Sequence, residues 1–469
     1  MTVKTHAFLV LSLLSMAGCA STPKDRTVSN AQPQAAPAES AVVQASHLAD
    51  DAAPLALPAE APIEQPAEII STPNEAPTQE GLTLEMVEAM AMANNPAIAE
   101  AAARARALRG KWLQAGLPPN PTAGYSASEV GNDGAGGQQG GYIGQDFITA
   151  GKLHKDRAVV AAEVTRAEQL LVATQRRVQT DVRGAYYSAL VAQRRVQLAE
   201  GLLHVTSEAA SASQALVEAE ELPLAGLLQT EVQQQNAKVF LQTAKNAQAQ
   251  AWRILAAVVG GPELPVQDLE GDVTRLPDVL DWQTQLDRLQ SESPEIAAAI
   301  AEVTRARRAL HRATVEAVPD ISTQFTVQYD NASDYTITSV QIGGPIPLWN
   351  FNQGGIHQAK ADITRAERGV DRVAQSLSKR LAETFRRYAD AHTTATNYEA
   401  DVLPRSQRTL QLVRKGYEQG EVGYLDLLAA QQTYSQTNLA YLNALQDAWQ
   451  SYVLIEGLLL SESLDTPSE

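Results

Sequence analysis

Val164, Ala167, Leu171, Thr174, Val178, Val182, Tyr186 and Ala189 step along the chain by threes and fours. A second set, 199 residues on, keeps the same spacing: Ile363, Ala366, Val370, Val373, Leu377, Leu381, Phe385 and Tyr388. The local words also agree, VTRAE at 164–168 and ITRAE at 363–367. Steps of three and four are the period of a helix with one apolar stripe. A unit this long is a duplicated architecture rather than a solenoid module. Each stripe sits in a long helical tract, 152–219 and about 356–419. At 1.5 Å per residue, a tract of about 64 residues extends roughly 95 Å. A globular core does not need helices of that length; spanning a distance does.

Working outward from the stripes gives the same order twice: helix, strand pair, long helix, helix. Repeat one occupies 82–262. It begins with a helix over 83–114, which the run Gly116-Leu-Pro-Pro-Asn-Pro121 ends. Strands are expected at about 122–130 and 141–148, around a glycine-rich outer loop at 131–141. The long tract, a helix over 224–259 and the stop Gly260-Gly-Pro follow. Repeat two occupies 281–460, with a helix over 282–317, strands at about 320–330 and 335–343, the second long tract, and a helix over 425–460. Residues 461–469 read as a short disordered tail.

The strands narrow the setting. Ile321, Thr323, Phe325, Val327 and Tyr329 alternate with Ser322, Gln324, Thr326 and Gln328, so one face is mostly apolar and the other is polar without charge. A sandwich edge and a membrane barrel both read this way. The run 335–342 is similar but changes phase near Ser339, where a bulge would fit. In repeat one, Ala123, Tyr125 and Ala127 alternate more weakly with Gly124, Ser126 and Ser128. If the strands lie in a membrane, four of them cannot close a barrel. An open edge in lipid leaves backbone groups unpaired at several kcal/mol each. Such a chain must associate with copies of itself.

The N-terminus is a lipoprotein-type export signal, 1–18. Lys4 supplies the charge and 7–14 an apolar stretch too short to span a bilayer. Ser-Met-Ala-Gly at 15–18 before Cys19, the only cysteine of the chain, resembles a lipobox. Cys19 is thus the expected lipidation site. Ala20 stands where an inner-membrane retention signal places Asp, which favours the outer membrane and contact with its lipid. Residues 19–81, with nine prolines in 20–80, read as a disordered tether. Lys and Arg number 37 against 54 Asp and Glu, a net charge of −17, which argues against nucleic acid as a partner. The acidity leaves two readings open, solubility and an acidic conduit for cations.

The duplicated order, with Gly344-Pro-Ile-Pro-Leu-Trp-Asn350 before Asn352-Gln-Gly-Gly355, resembles the TolC-like outer-membrane efflux factor family. Gly420-Glu-Val-Gly-Tyr-Leu-Asp-Leu-Leu-Ala-Ala-Gln431 resembles the hairpin beside that family's periplasmic mouth. The resemblance covers about 82–460. It implies a mainly α fold with a transmembrane β-barrel, a homotrimer with twelve strands on a long periplasmic α-barrel, and no enzymatic activity. It also implies a periplasmic adaptor and an RND-type inner-membrane pump as partners. The runs 116–122 and Ala150-Gly-Lys152 look most like the heavy-metal cation branch, although drug-efflux and type I protein-secretion ducts share the scaffold. A lipid-anchored periplasmic coiled-coil adaptor is the alternative class; such proteins lack the twofold duplication.

Two tips carry the candidate pore residues. In repeat two, Glu421, Tyr424 and Asp426 flank a glycine-permitted reversal. Asp426 suits the N-terminal dipole of the next helix. The resemblance matches it instead to an acidic position lining the closed pore, where copies converge in a ring. Both readings stand. Glu220 and Glu221 occupy the repeat-one tip, as mouth-lining or merely solvated residues. The glycine run 134–141 lacks the Lys-Ser/Thr ending of a phosphate loop, and the histidines show no metal spacing. No cofactor, metal site or catalytic group is expected.

Overall fold

The computed structural model describes residues 81–464 apart from 132, 133, 135, 262, 263, 265 and 420. The expected signal peptide, Cys19, the tether up to residue 80 and the last five residues lie outside them. Repeat one contains α1 (Leu84–Asn94), α2 (Pro96–Gln114), β1 (Thr122–Ser128), β2 (Gln138–Phe147), α3 (Lys152–Glu218) and α4 (Leu224–Val259). Repeat two contains α5 (Trp282–Glu292), α6 (Pro294–Thr314), β3 (Ile321–Asp330), β4 (Tyr335–Gly343), α7 (Gln353–Asn397), α8 (Leu403–Glu418) and α9 (Tyr424–Glu456).

The first helix expected in each repeat is two helices. Pro96 and Pro294, 198 residues apart, each open a new helix, because proline has no N–H to continue the previous one. The caps are duplicated at the same offset. Thr83 accepts from the N–H of Met86, and Asp281 from the N–H of Thr284. The second long tract is interrupted as well: 398–402 form a π-turn between α7 and α8. Pro404 cannot donate to the preceding turn, and the ladder slips there. The last helix stops at Glu456, short of residue 460, where Leu458 and Leu459 take left-handed backbone. Residues 461–464, expected as part of the tail, are ordered. Glu462 and Ser463 donate their N–H groups to the Asp181 carboxylate at 3.0 and 2.6 Å, which holds 461–464 against α3.

The apolar stripes face inward. Val178, Val182, Tyr186 and Ala189 join one core with α1, α4 and α9, where Trp252, Leu255, Leu445 and Trp449 meet them. Leu377, Leu381 and Tyr388 form a second core with Leu289, Ile296 and Ile455. Buried hydroxyls tie these cores to the chain between the repeats. The Tyr186 hydroxyl lies against the carbonyls of Leu82 and Glu270. Tyr388 donates to Asp278 at 3.2 Å and accepts from the N–H of Leu280 at 3.3 Å. The ion pairs Arg109–Glu168 and Arg307–Glu367, 2.8 and 2.9 Å, occupy matching places in the repeats. Exposed pairs of this kind contribute about 0–1 kcal/mol, so they mark the duplication more than they stabilise it.

The four strands form one antiparallel sheet in the order β1-β2-β3-β4, so β1 and β4 are its edges. The β3–β4 register is unbroken from Ser322 opposite Gly343 to Asp330 opposite Tyr335, without the expected bulge. The phase change near Ser339 lies in the side chains alone and turns Ile337 to the polar face. β1 ends at Ser128 because Glu129 is left-handed at φ 56°. β2 starts earlier than expected, at Gln138, since pairing with β3 carries the ladder through the glycines. Gly140 is required there: a Cβ would stand 1.9 Å from the Val327 carbonyl oxygen.

Burial pushes the Tyr186 and Tyr441 hydroxyls up from 10.0 to about 12, with nearby carboxylates as the lesser cause. A raised tyrosine contributes stability fully below the unfolded value and loses it as pH climbs through the folded one. Denaturant stability is therefore expected to fall between pH 10 and 12. The Tyr186→Phe/Tyr441→Phe double variant should show a shallower fall in matched urea titrations; an equally steep fall refutes the assignment.

Candidate functional site

The sheet carries the first functional feature, and its faces are the reverse of a soluble protein's. The register places Ala123, Ile143, Phe325 and Val340 in one row across all four strands. Tyr125, Val327, Tyr329 and Ile342 lie on the same face, and its large apolar side chains are exposed. The opposite row is Thr122, Gly144, Gln324 and Gln341, continued by Ser126 and Gln328. Along β3 that polar face is the more covered one. Water would select the opposite arrangement, since exposing aliphatic and aromatic area costs about 25 cal/mol per Å². Lipid against the apolar face and water against the polar one is the arrangement of a membrane barrel. Among the described residues, no helix is long and apolar enough to cross a membrane.

Below the sheet the repeats are clamped together where strands turn into helices. Gly151, left-handed at φ 64°, starts α3, and Lys152 follows with 4% exposure. Its Nζ reaches the Asp320 carboxylate at 3.0 Å. The same carboxylate accepts from the Thr149 N–H at 2.8 Å, and the Thr149 hydroxyl donates to the Pro319 carbonyl at 2.6 Å. A buried ammonium needs such a partner, and removing one member of a buried pair is far costlier than never having it. Further along, Glu295 at the start of α6 bridges both long helices, with Arg177 of α3 at 3.1 Å and Arg380 of α7 at 2.5 Å. Sequence reasoning missed both clusters. Each joins residues more than 80 positions apart, and neither carries a local spacing signal.

At the far ends lie the hairpin tips. Asp426 is exposed at the third residue of α9, and its carboxylate accepts from the Gly423 N–H at 3.2 Å. It therefore caps its own helix. Gly423 has no side chain to return the bond, so the fastening is one-sided. Tyr424 is half-buried, its ring set edge-on to Tyr417 at 6.2 Å between centroids, and burial pushes its hydroxyl above the usual range. Glu421 is exposed, and its N–H donates to the Gly416 carbonyl at 2.8 Å. Glu220 and Glu221 are exposed at the other tip, Glu220 in left-handed backbone at φ 64°. There the Glu221 and Leu222 N–H groups both close on the Leu216 carbonyl. The tips thus differ in how they are fastened: one uses a carboxylate, the other backbone alone. Among the described residues, no group of three His, Cys, Asp or Glu could hold a metal ion.

Known proteins share this architecture. Residues 286–459, nearly all of repeat two, match the outer membrane efflux protein family. The chain is 26% identical over 387 residues to the cobalt-zinc-cadmium resistance protein CzcC of Cupriavidus metallidurans, covering 81% of this chain and 90% of that one. Its fold is that of CusC, solved in a study of transmembrane channel formation, with a TM-score of 0.66 at 17% identity over 81% of this chain and 92% of that one. The outer membrane protein VceC of Vibrio cholerae superposes equally well, TM-score 0.66 at 17% identity over 81% and 96%. Repeat two is thus similar, nearly end to end, to the outer membrane efflux protein family, and the whole described fold is similar to these solved outer-membrane proteins.

Proposed function

We propose that three copies of this chain form a passive exit duct through the outer membrane, fed by a periplasmic adaptor and an RND-type inner-membrane pump, and that its cargo is divalent heavy-metal cations. The observation that carries the duct is the sheet, with an exposed apolar face, a polar face and two edges without a partner strand among the described residues. Lipid requires those edges to be paired, and copies of the same chain supply the partners. Three copies supply twelve strands, within the range of outer-membrane barrels. The metal cargo is supported by the relative CzcC, which the chain matches over most of both lengths. The lipid-anchored adaptor reading falls away, because the fold is that of channels. Drug or protein cargo has no such support.

Cells deleted for this chain should lose tolerance to zinc, cobalt or cadmium salts, and the intact gene should restore it. Phe325→Arg, on the apolar face, costs about 2–4 kcal/mol per copy at mid-bilayer and should fail to restore. Gln328→Arg, on the polar face, should restore at least in part. Equal behaviour of the two variants would contradict the assignment of faces.

Asp426 is assigned to a ring of carboxylates at the periplasmic mouth, flanked by Glu421 and Tyr424, with Glu220 and Glu221 at the outer rim. Asparagine keeps an oxygen for the Gly423 N–H and removes only the charge. Asp426→Asn should therefore shift the planar-bilayer reversal potential toward zero under a salt gradient with stability unchanged; an unmoved potential removes the role.

Cys19 is assigned as the acylated first residue of the mature chain, which tethers the duct to the membrane. Cys19→Ser should abolish incorporation of a labelled fatty-acid precursor. Retained label would place the acyl chain elsewhere.

A further inference from the structure

Within one chain, the crossing from β2 to α3, residues 148–151, leans on the segment just before β3. The contacts are those of Thr149 and Lys152 with Pro319 and Asp320. The matching crossing from β4 to α7, residues 344–352, is five residues longer and follows an edge strand. It carries large apolar side chains in the open, with Ile346 78% and Trp349 85% exposed and Leu348 beside them. At the other edge, the segment leading into β1 exposes Leu113 and Leu117.

The registers decide which of these segments can meet. Thr122, Phe147, Ile321 and Gly343 all lie at the same end of the sheet. Its strands alternate in direction, so a copy added at the β4 edge through its own β1 continues the antiparallel pattern. The end of β4 and the start of the next copy's β1 then fall side by side. Residues 344–352 of one copy lie against 113–121 of the next, as 148–151 lie against 318–320 inside the chain. The duplication makes the internal contact a template for the external one.

The chemistry differs at the second contact. The position 199 residues before Asp320 is Pro121, which offers no carboxylate, and the neighbouring positions are Pro118, Pro119 and Asn120. The longer crossing brings Ile346, Leu348 and Trp349 instead of a lysine. We propose that residues 345–351 of one copy pack on 113–121 of the next, forming an apolar seam at the foot of the barrel. The polar clamp of Lys152 and Asp320 joins the repeats within a chain; the seam joins them between chains. An indole left so open gains most by burial, up to about 200 Å² of contact area. This inference rests on the ring of copies proposed above.

The test separates the two readings. Membranes holding the full-length Leu117→Cys/Leu348→Cys variant are treated with a short bismaleimide, and the single-cysteine variants control for linkage through Cys19. Wild-type membranes are treated with glutaraldehyde, which reports the ring whatever the seam does. The expected result is a double-variant ladder ending at the same species as the glutaraldehyde ladder, with the single variants remaining monomeric on denaturing gels. A glutaraldehyde ladder without a bismaleimide ladder overturns the seam and leaves the ring standing. Loss of both ladders overturns the ring and the seam with it. Brominated phospholipid supplies the remaining arm. Fluorescence quenching that disappears in Trp349→Phe would assign the loop to lipid and overturn the seam, whereas equal quenching in both proteins supports it.

Discussion

A backbone amide surrounded by hydrocarbon must be paired with another backbone group, and the rest of this molecule follows from that requirement. The sheet exposes its apolar face and keeps glutamine, serine and threonine on the other, yet β1 and β4 each have one edge with no partner strand among the described residues. Unpaired groups in lipid cost several kcal/mol each, more in sum than the whole stability of a typical domain. The chain is therefore incomplete alone, and its incompleteness has a direction: β4 on one side, β1 on the other. Contacts of that head-to-tail kind generate rings when the rotation closes. The long helices inherit the geometry, since α3 leaves the foot of β2 and extends roughly 100 Å over its 67 residues.

Duplication lets one set of physical solutions serve twice. Thr83 and Asp281 cap equivalent helices, Pro96 and Pro294 restart the chain at equivalent points, and the Arg–Glu pairs to α3 and α7 recur. The repeats part company wherever one faces its own sister and the other faces outward. At the strand-to-helix crossing this difference is chemical, a buried ion pair on one side and bare indole and aliphatic groups on the other.

Much of the fold was legible because it is written in periods. The 199-residue echo gave the two units, the alternation at 321–329 gave β3 with its correct faces, and breaker runs gave most boundaries. What escaped depends on contact between distant residues or on the backbone ladder. A proline inside an apolar helical run does not announce whether it kinks, restarts or shifts a helix; Pro96 restarts one and Pro404 follows a π-turn. Gly140 looks like loop composition until β3 lies beside it, and then only glycine fits. Of the candidate site, Asp426 was placed with its helix-capping role legible from position alone. Lys152, Asp320 and Glu295 were not legible, because a single sequence carries no signal for an ion pair that closes across two repeats.

The tips extend the same contrast to the other end of the molecule. α3 runs unbroken to Glu218 and still buries Thr206, Ala210 and Ser213 near its end. The corresponding stretch of repeat two passes through the π-turn at 398–402 and continues as α8, which buries Ser406 and Gly416 among its described residues. α8 lies along α9, with the slipped ladder at one end and the hairpin that Asp426 fastens at the other. The carboxylate at that hairpin closes the first turn of α9 by accepting from Gly423, and it remains exposed at the tip.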